Sequence, residues 1–170
     1  ASIAAEGRDA FSQRLCFVVS DGLSAQAIEK YALELLLNFK KMNQQVDLKH
    51  RFELTDIYLV KLGRVGVIDE IGSLVGCKQI VILLGERPGL SCFDSLGVYF
   101  EHSPRLGNSD ANRNCISNIH SDGLTTERAA SKLFYLLSKS RRLGLSGVEL
   151  KDDLAIEGEA AAAGVGGDGA

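Results

Sequence analysis

The run Gln79 to Leu84, Gln-Ile-Val-Ile-Leu-Leu, constrains the fold of this chain more than any other feature. It is too short for a helix of ordinary length and apolar on both sides of an extended backbone. A strand of that kind is covered on both faces, which is the habit of a central strand in a parallel sheet. Such a strand needs neighbours on either side and helices above and below.

The rest of the chain supplies them. Leu15 to Val19 is a short apolar run, closed by Ser20-Asp21-Gly22-Leu23-Ser24. After it Ile28, Ala32, Leu35, Leu36 and Phe39 recur at three- and four-residue intervals, one apolar face of a helix. Ser24 is suited to capping that helix, because its hydroxyl can accept from an unpaired backbone N–H. Lys40 to Leu54 is polar and predicts a surface connection. Ile57 to Lys61 predicts a second strand, ending at Gly63-Arg64-Val65-Gly66. A short helix through Ile68, Ile71 and Leu74 follows, stopped by Gly76. Gly97 to Glu101 and Asn114 to Ile119 predict further strands, and Ala129, Ala130, Leu133, Phe134 and Leu137 a last amphipathic helix. Strands alternating with helices predict an α/β fold with a mostly parallel sheet and helices on both faces.

We divide the 170 residues into a flexible N-terminal remnant (1–11), one α/β domain (12–149) and a low-complexity, disordered tail (150–170). The tail holds Asp152, Asp153, Glu157, Glu159 and Asp168 against Lys151, so it carries more than the whole formal charge of -3. The domain itself is close to neutral. It has little excess charge to neutralise phosphates, which disfavours a nucleic-acid partner. No apolar run approaches the roughly 18 residues of a membrane span, and Ala1 to Phe11 lacks the apolar core of a signal peptide. Cys16, Cys77, Cys92 and Cys115 show neither zinc-site nor disulfide spacing. Reduced thiols in a cytoplasmic setting are the expectation.

In open α/β sheets ligands gather beyond the carboxyl ends of the strands. Four turns fall there: Ser20 to Ser24, Gly63 to Gly66, Gly85 to Leu90, and the neighbourhood of Cys115. There is no G-x-G-x-x-G or P-loop pattern and no G-x-S-x-G elbow. Gly63-Arg64-Val65-Gly66 fits the G-x-x-G loop of KH domains, which the charge balance argues against. His50, His102 and His120 have no metal-ligand spacing. A Cys115/His120 dyad fails on strand geometry, because residues five apart point to opposite faces. Glu86 is either half of a surface pair with Arg87 or an acceptor for amide donors on a ligand. Cys115 is ordinarily a small buried hydrophobe. Two other functions stay open at this level: a stand-alone module for a nucleotide-like or phosphorylated ligand, and a small hydrolase using Ser24 or Cys115.

Six blocks occur in order: Val19-Ser20-Asp21-Gly22-Leu23-Ser24, Gly63-Arg64-Val65, Asp69-Glu70-Ile71-Gly72, Gly85-Glu86-Arg87-Pro88-Gly89-Leu90, Ser103-Pro104-Arg105 and Cys115-Ile116-Ser117-Asn118-Ile119-His120. From about Leu15 to Gly147 this series resembles the small (light) subunit of ethanolamine ammonia-lyase. The resemblance implies a flavodoxin-like or Rossmann-like cobalamin-binding domain that packs on a large subunit in a hetero-oligomer. Adenosylcobalamin would lie between the two, with contacts from Val65, Glu86 and Cys115. It also implies a carbon–nitrogen lyase that is inactive without the large subunit, in the cytoplasm or a bacterial microcompartment. None of the three histidines sits in a D-x-H-x-x-G context, so the cofactor is expected base-on, with its own dimethylbenzimidazole below cobalt. The segment Met42 to Phe52 is longer than the family pattern, Ser91 to Ser95 and His102 depart from it, and the family's N-terminal region is expected to be absent from these residues. The chain is therefore expected to be a fragment or an atypical member.

Overall fold

The computed structural model describes residues 13–87, 89 and 92–153. The remnant expected at 1–11 and residues 154–170 of the expected tail lie outside the described residues. Five strands form one sheet: β1 (Arg14–Ser20), β2 (Glu53–Val60), β3 (Gln79–Glu86), β4 (Ser95–His102) and β5 (Arg113–Ile119). Helix α1 begins as Ala25–Ala27, widens through a π-helical stretch at Ile28–Ala32 and continues as Leu33–Gln45. Helix α2 is Val67–Val75 and α3 is Thr126–Leu143. Lys40 to Gln45, expected as surface connection, thus belongs to α1.

The sheet order is β2-β1-β3-β4-β5. β1 pairs with β2 and β3 in parallel, but β3–β4 and β4–β5 are antiparallel. The expected mostly parallel, flavodoxin-like or Rossmann-like fold is therefore incorrect; the sheet is mixed. The reason lies in the connections. A parallel neighbour needs a crossover of a dozen or more residues, usually a helix. α1 and α2 provide it for β2 and β3. Only eight residues (87–94) separate β3 from β4, and ten (103–112) separate β4 from β5. Among the described residues neither connection contains an α-helix, and each strand returns beside the one before it.

β3 is nonetheless buried along both faces. On one face α1 and α3 pack Leu35, Phe39, Leu133 and Leu137 against Phe17, Val81, Leu83, Val98 and Phe100. Phe39 meets Phe17 at 5.3 Å between ring centroids, nearly perpendicular, a favoured aromatic arrangement. Leu150 closes this core, and beyond it Asp152 and Asp153 pair with Lys132 and Lys139 of α3. On the other face Ile68 of α2 packs on Cys16, Val18, Ile80 and Ile82. α2 ends where the backbone turns left-handed at Gly76 (φ 63°), as the sequence predicts. Over β5 that second face stays open: Cys115, Ser117 and Asn118 are all exposed.

Candidate functional site

Because β1, β2 and β3 run in parallel, their carboxyl ends share one edge of the sheet, where three loops interlock. The Ser24 hydroxyl accepts from Ala27 N at 3.3 Å, the expected helix cap, and donates to Phe93 O at 2.9 Å. The Ser20 hydroxyl accepts from Gly22 N (3.3 Å) and Gly63 N (2.9 Å). The Asp21 carboxylate accepts from Leu62 N at 2.5 Å. The polar groups of Ser-Asp-Gly thus hold the Gly63-Arg64-Val65 loop against β1. Leu23 N donates to Gly85 O at 2.8 Å, and a Cβ on Gly85 would lie 2.1 Å from Ser24 O. Glycine is required there because two backbones touch.

These loops enclose a cleft of about 310 Å³ lined by Gly22, Leu23, Arg64, Val65, Leu84, Gly85, Glu86 and Arg87. Val65 is half-buried and packs against the α2-face core. Glu86, the last residue of β3, continues the alternation of Ile82 and Leu84 and so lies on the same face. Its carboxylate rests on Gly97 of β4: a Cβ there would sit 2.6 Å from Glu86 Cδ. The Tyr99 hydroxyl donates to Glu86 Oε1 at 2.5 Å. Tyr99 pairs directly with Cys115 of β5, which places that thiol on the same face.

Val65, Glu86 and Cys115 therefore share one face of the sheet. Val65 and Glu86 line one cleft, while Cys115 stands outside its lining and is reached through Tyr99. Cys115 is exposed as a residue, not a buried hydrophobe. Partial burial raises the pKa of its thiol, against the Tyr99 hydroxyl, which lowers it, and the Glu86 charge adds a smaller upward push. Burial first, and the hydrogen bond to Glu86 second, keep the Tyr99 phenol well above its ordinary value, so it remains a donor at neutral pH. His120 is engaged by Asn118 Oδ1 at 2.6 Å and by the Asp122 amide, and forms no dyad with Cys115.

Gly97 and Tyr99 were not singled out in the sequence as site residues. Strand alternation puts them on one face, but only the β3–β4 register, Leu84 opposite Gly97 and Glu86 opposite Ser95, brings them under Glu86. Other motif residues serve the fold. Arg113 clamps Asp69 of α2 with bonds of 2.7 and 2.8 Å. Gly72 packs so closely on Pro104 that a Cβ would lie 2.3 Å from its ring. Asn118 adopts a left-handed conformation (φ 63°), and its carbonyl accepts from Leu124 N. A larger groove of about 580 Å³ runs beside α3, lined by Lys49, His50, Tyr135 and Arg142 among others. It contains none of the expected site residues.

The sequence profile of the ethanolamine ammonia-lyase light chain family matches residues 3–151. The ethanolamine ammonia-lyase small subunit of Pseudomonas fluorescens (strain SBW25) is 48% identical over 143 residues, covering 84% of this chain and 50% of the relative. That of Azotobacter vinelandii is 49% identical over 151 residues, covering 88% and 52%. That of Pseudomonas aeruginosa (strain UCBPP-PA14) is 49% identical over 149 residues, covering 86% and 53%. The chain spans about half the length of these curated relatives. With a match that takes in almost every described residue, this chain belongs to the ethanolamine ammonia-lyase light chain family.

Proposed function

We propose that this chain is the cofactor-holding part of the small subunit of an adenosylcobalamin-dependent ethanolamine ammonia-lyase. It would work only in a hetero-oligomer with the large subunit, in the cytoplasm or a bacterial microcompartment. The observation that carries the proposal is that Val65, Glu86 and Cys115 lie on one face of the sheet, the first two lining one cleft and the third set beyond Tyr99.

The surface fits a broad, apolar-bodied ligand that bears amide donors. Val65 offers an apolar wall, and the Glu86 carboxylate, laid over Gly97, a charged acceptor beside it. Glu86 Oε1 is engaged by Tyr99, and Oε2 has no hydrogen-bond partner among the described residues. A charged acceptor contributes about 1.5–3 kcal/mol per hydrogen bond. Val65 would pack against the ring, Glu86 would accept from its amides, and Cys115 would bound its far side. Bound adenosylcobalamin supplies the radical chemistry that converts ethanolamine to acetaldehyde and ammonia. The chain's residues orient the cofactor and exclude water from one side of it, and none acts as general acid or base. Base-on binding is part of the proposal; loss of the benzimidazole nitrogen superhyperfine coupling from the cob(II)alamin spectrum would refute it.

The test mixes this chain with an ethanolamine ammonia-lyase large subunit, adenosylcobalamin and ethanolamine, omitting each component in turn. Acetaldehyde should form only when all four are present. In the same complex Glu86→Ala should weaken cobalamin binding about tenfold or more, as expected for a lost charged hydrogen bond, while this chain stays folded. Unchanged affinity would remove Glu86 from the site.

A further inference from the structure

We infer that Tyr99 is a positioning residue for cobalamin, aiming the Glu86 carboxylate across the bare backbone of Gly97. This rests on the reading of Glu86 as a cofactor contact.

Glu86 ends β3 at the sheet edge, and nothing in its own strand dictates where its side chain goes. A glutamate at such a point has several rotamers open to solvent, and a ligand that needs one of them must order it. Two features of β4 remove that freedom. Gly97, diagonal to Glu86 in the antiparallel register, leaves room for the carboxylate to lie on the sheet. A Cβ at that position would approach Glu86 Cδ and Oε1 to 2.6 Å and Oε2 to 2.8 Å. Two residues further along the same face, the Tyr99 hydroxyl closes on Oε1 at 2.5 Å. A tyrosine ring has few rotatable bonds and this one is half-buried, so its hydroxyl is a fixed point. The hydrogen bond uses one carboxylate oxygen and leaves the other for a ligand. The same ring stands beside Cys115, so one residue sets the spacing between two of the three proposed contacts.

The test compares wild type, Tyr99→Phe, Glu86→Ala and the double variant, each assembled with the large subunit and titrated with hydroxocobalamin by absorbance. Tyr99→Phe keeps the ring and removes the hydroxyl. It should weaken binding roughly tenfold, about one charged hydrogen bond. In the Glu86→Ala background it should have no further effect, because a positioning group has nothing left to position. Full affinity in Tyr99→Phe alongside weakened Glu86→Ala would overturn the inference and leave the Glu86 reading standing. Additive losses would also overturn it, by making Tyr99 a contact in its own right. Unchanged affinity in Glu86→Ala would instead sink the reading beneath it.

A second measurement needs neither partner nor cofactor. The ultraviolet difference titration between wild-type chain and Tyr99→Phe isolates the Tyr99 phenol among four tyrosines. It should ionise above the ordinary value, and Glu86→Ala should lower it. A phenol in the wild type that ionises like a free tyrosine would mean that the hydrogen bond does not persist in solution.

Discussion

Replacing Glu101 by glutamine should make this protein more stable, by an amount that grows as pH rises from about 4.5 to about 7. Glu101 is fully buried on β4. It faces Asp69 from α2, Arg113 from β5, and Asn108 from the intervening turn, whose amide donates to Oε1. Arg113 is committed to Asp69 and Asp110, and its Nε stands 3.6 Å from Glu101 Oε2, too far for a hydrogen bond. Burial first, and the Asp69 carboxylate second, push the Glu101 pKa up from 4.5 to about 7, while Asn108 and Arg113 pull the other way.

An acid whose folded pKa lies above its unfolded value holds its proton more tightly when folded. Its contribution is present below about 4.5 and is lost as pH rises through about 7. The full displacement is worth roughly 3 kcal/mol, a large share of the roughly 5–15 kcal/mol of a typical domain. Glutamine imitates the neutral acid at every pH: its oxygen can accept from Asn108 and its amide can donate to Asp69. By the same linkage, Glu101→Gln should gain under about 1 kcal/mol at pH 5 and roughly 3 kcal/mol at pH 8. Urea unfolding followed by far-ultraviolet circular dichroism at both pH values measures the difference. A variant no more stable than wild type at pH 8 would refute the reasoning, because it would mean that Glu101 is ionised and adequately paired with Arg113.

Other substitutions test the frame around the site. The buried Asn43 amide donates to Phe52 O at 2.9 Å and its oxygen accepts from Phe52 N at 2.7 Å, tying α1 to the entry of β2. Asn43→Ala leaves both backbone groups without that partner and should cost about 2–4 kcal/mol in urea unfolding; a loss below 1 kcal/mol would show that water replaces the amide. Arg113→Met strands Asp69 beside Glu101 and should cost about 3–5 kcal/mol at pH 8. That loss should shrink toward pH 5 as Glu101 takes up its proton, and a pH-independent loss would contradict the pairing. In the native chain a thiol reagent should label Cys115 and the partly exposed Cys92 but spare Cys16 and Cys77, with all four reacting in urea. Rapid native labelling of a third thiol would show that the α2 face opens.

Much was legible in local pattern, because local pattern reports burial and backbone preference. The apolar Gln79–Leu84 run announced a strand covered on both faces, and β3 is one. Ser24 and Gly76 marked the start of α1 and the end of α2, since capping and left-handed turns depend on nearest neighbours. The ordered motif blocks identified the family and named Val65, Glu86 and Cys115 together. Strand direction was not legible in the same way. Burial on both faces is indifferent to whether a neighbour runs parallel or antiparallel, and the signal that could have decided it was the brevity of 87–94 and 103–112. The partners of Glu86 and Glu101 belong to the same class. Gly97, Tyr99 and Arg113 lie 11 to 13 residues away from them in the chain, and only the antiparallel register of β3, β4 and β5 brings them within reach. Sequence alone marked most of the buried core and the family the chain joins; the tertiary structure decided which way the carboxylates point and left Cys115 exposed, because pairing across strands is set by how the connections return.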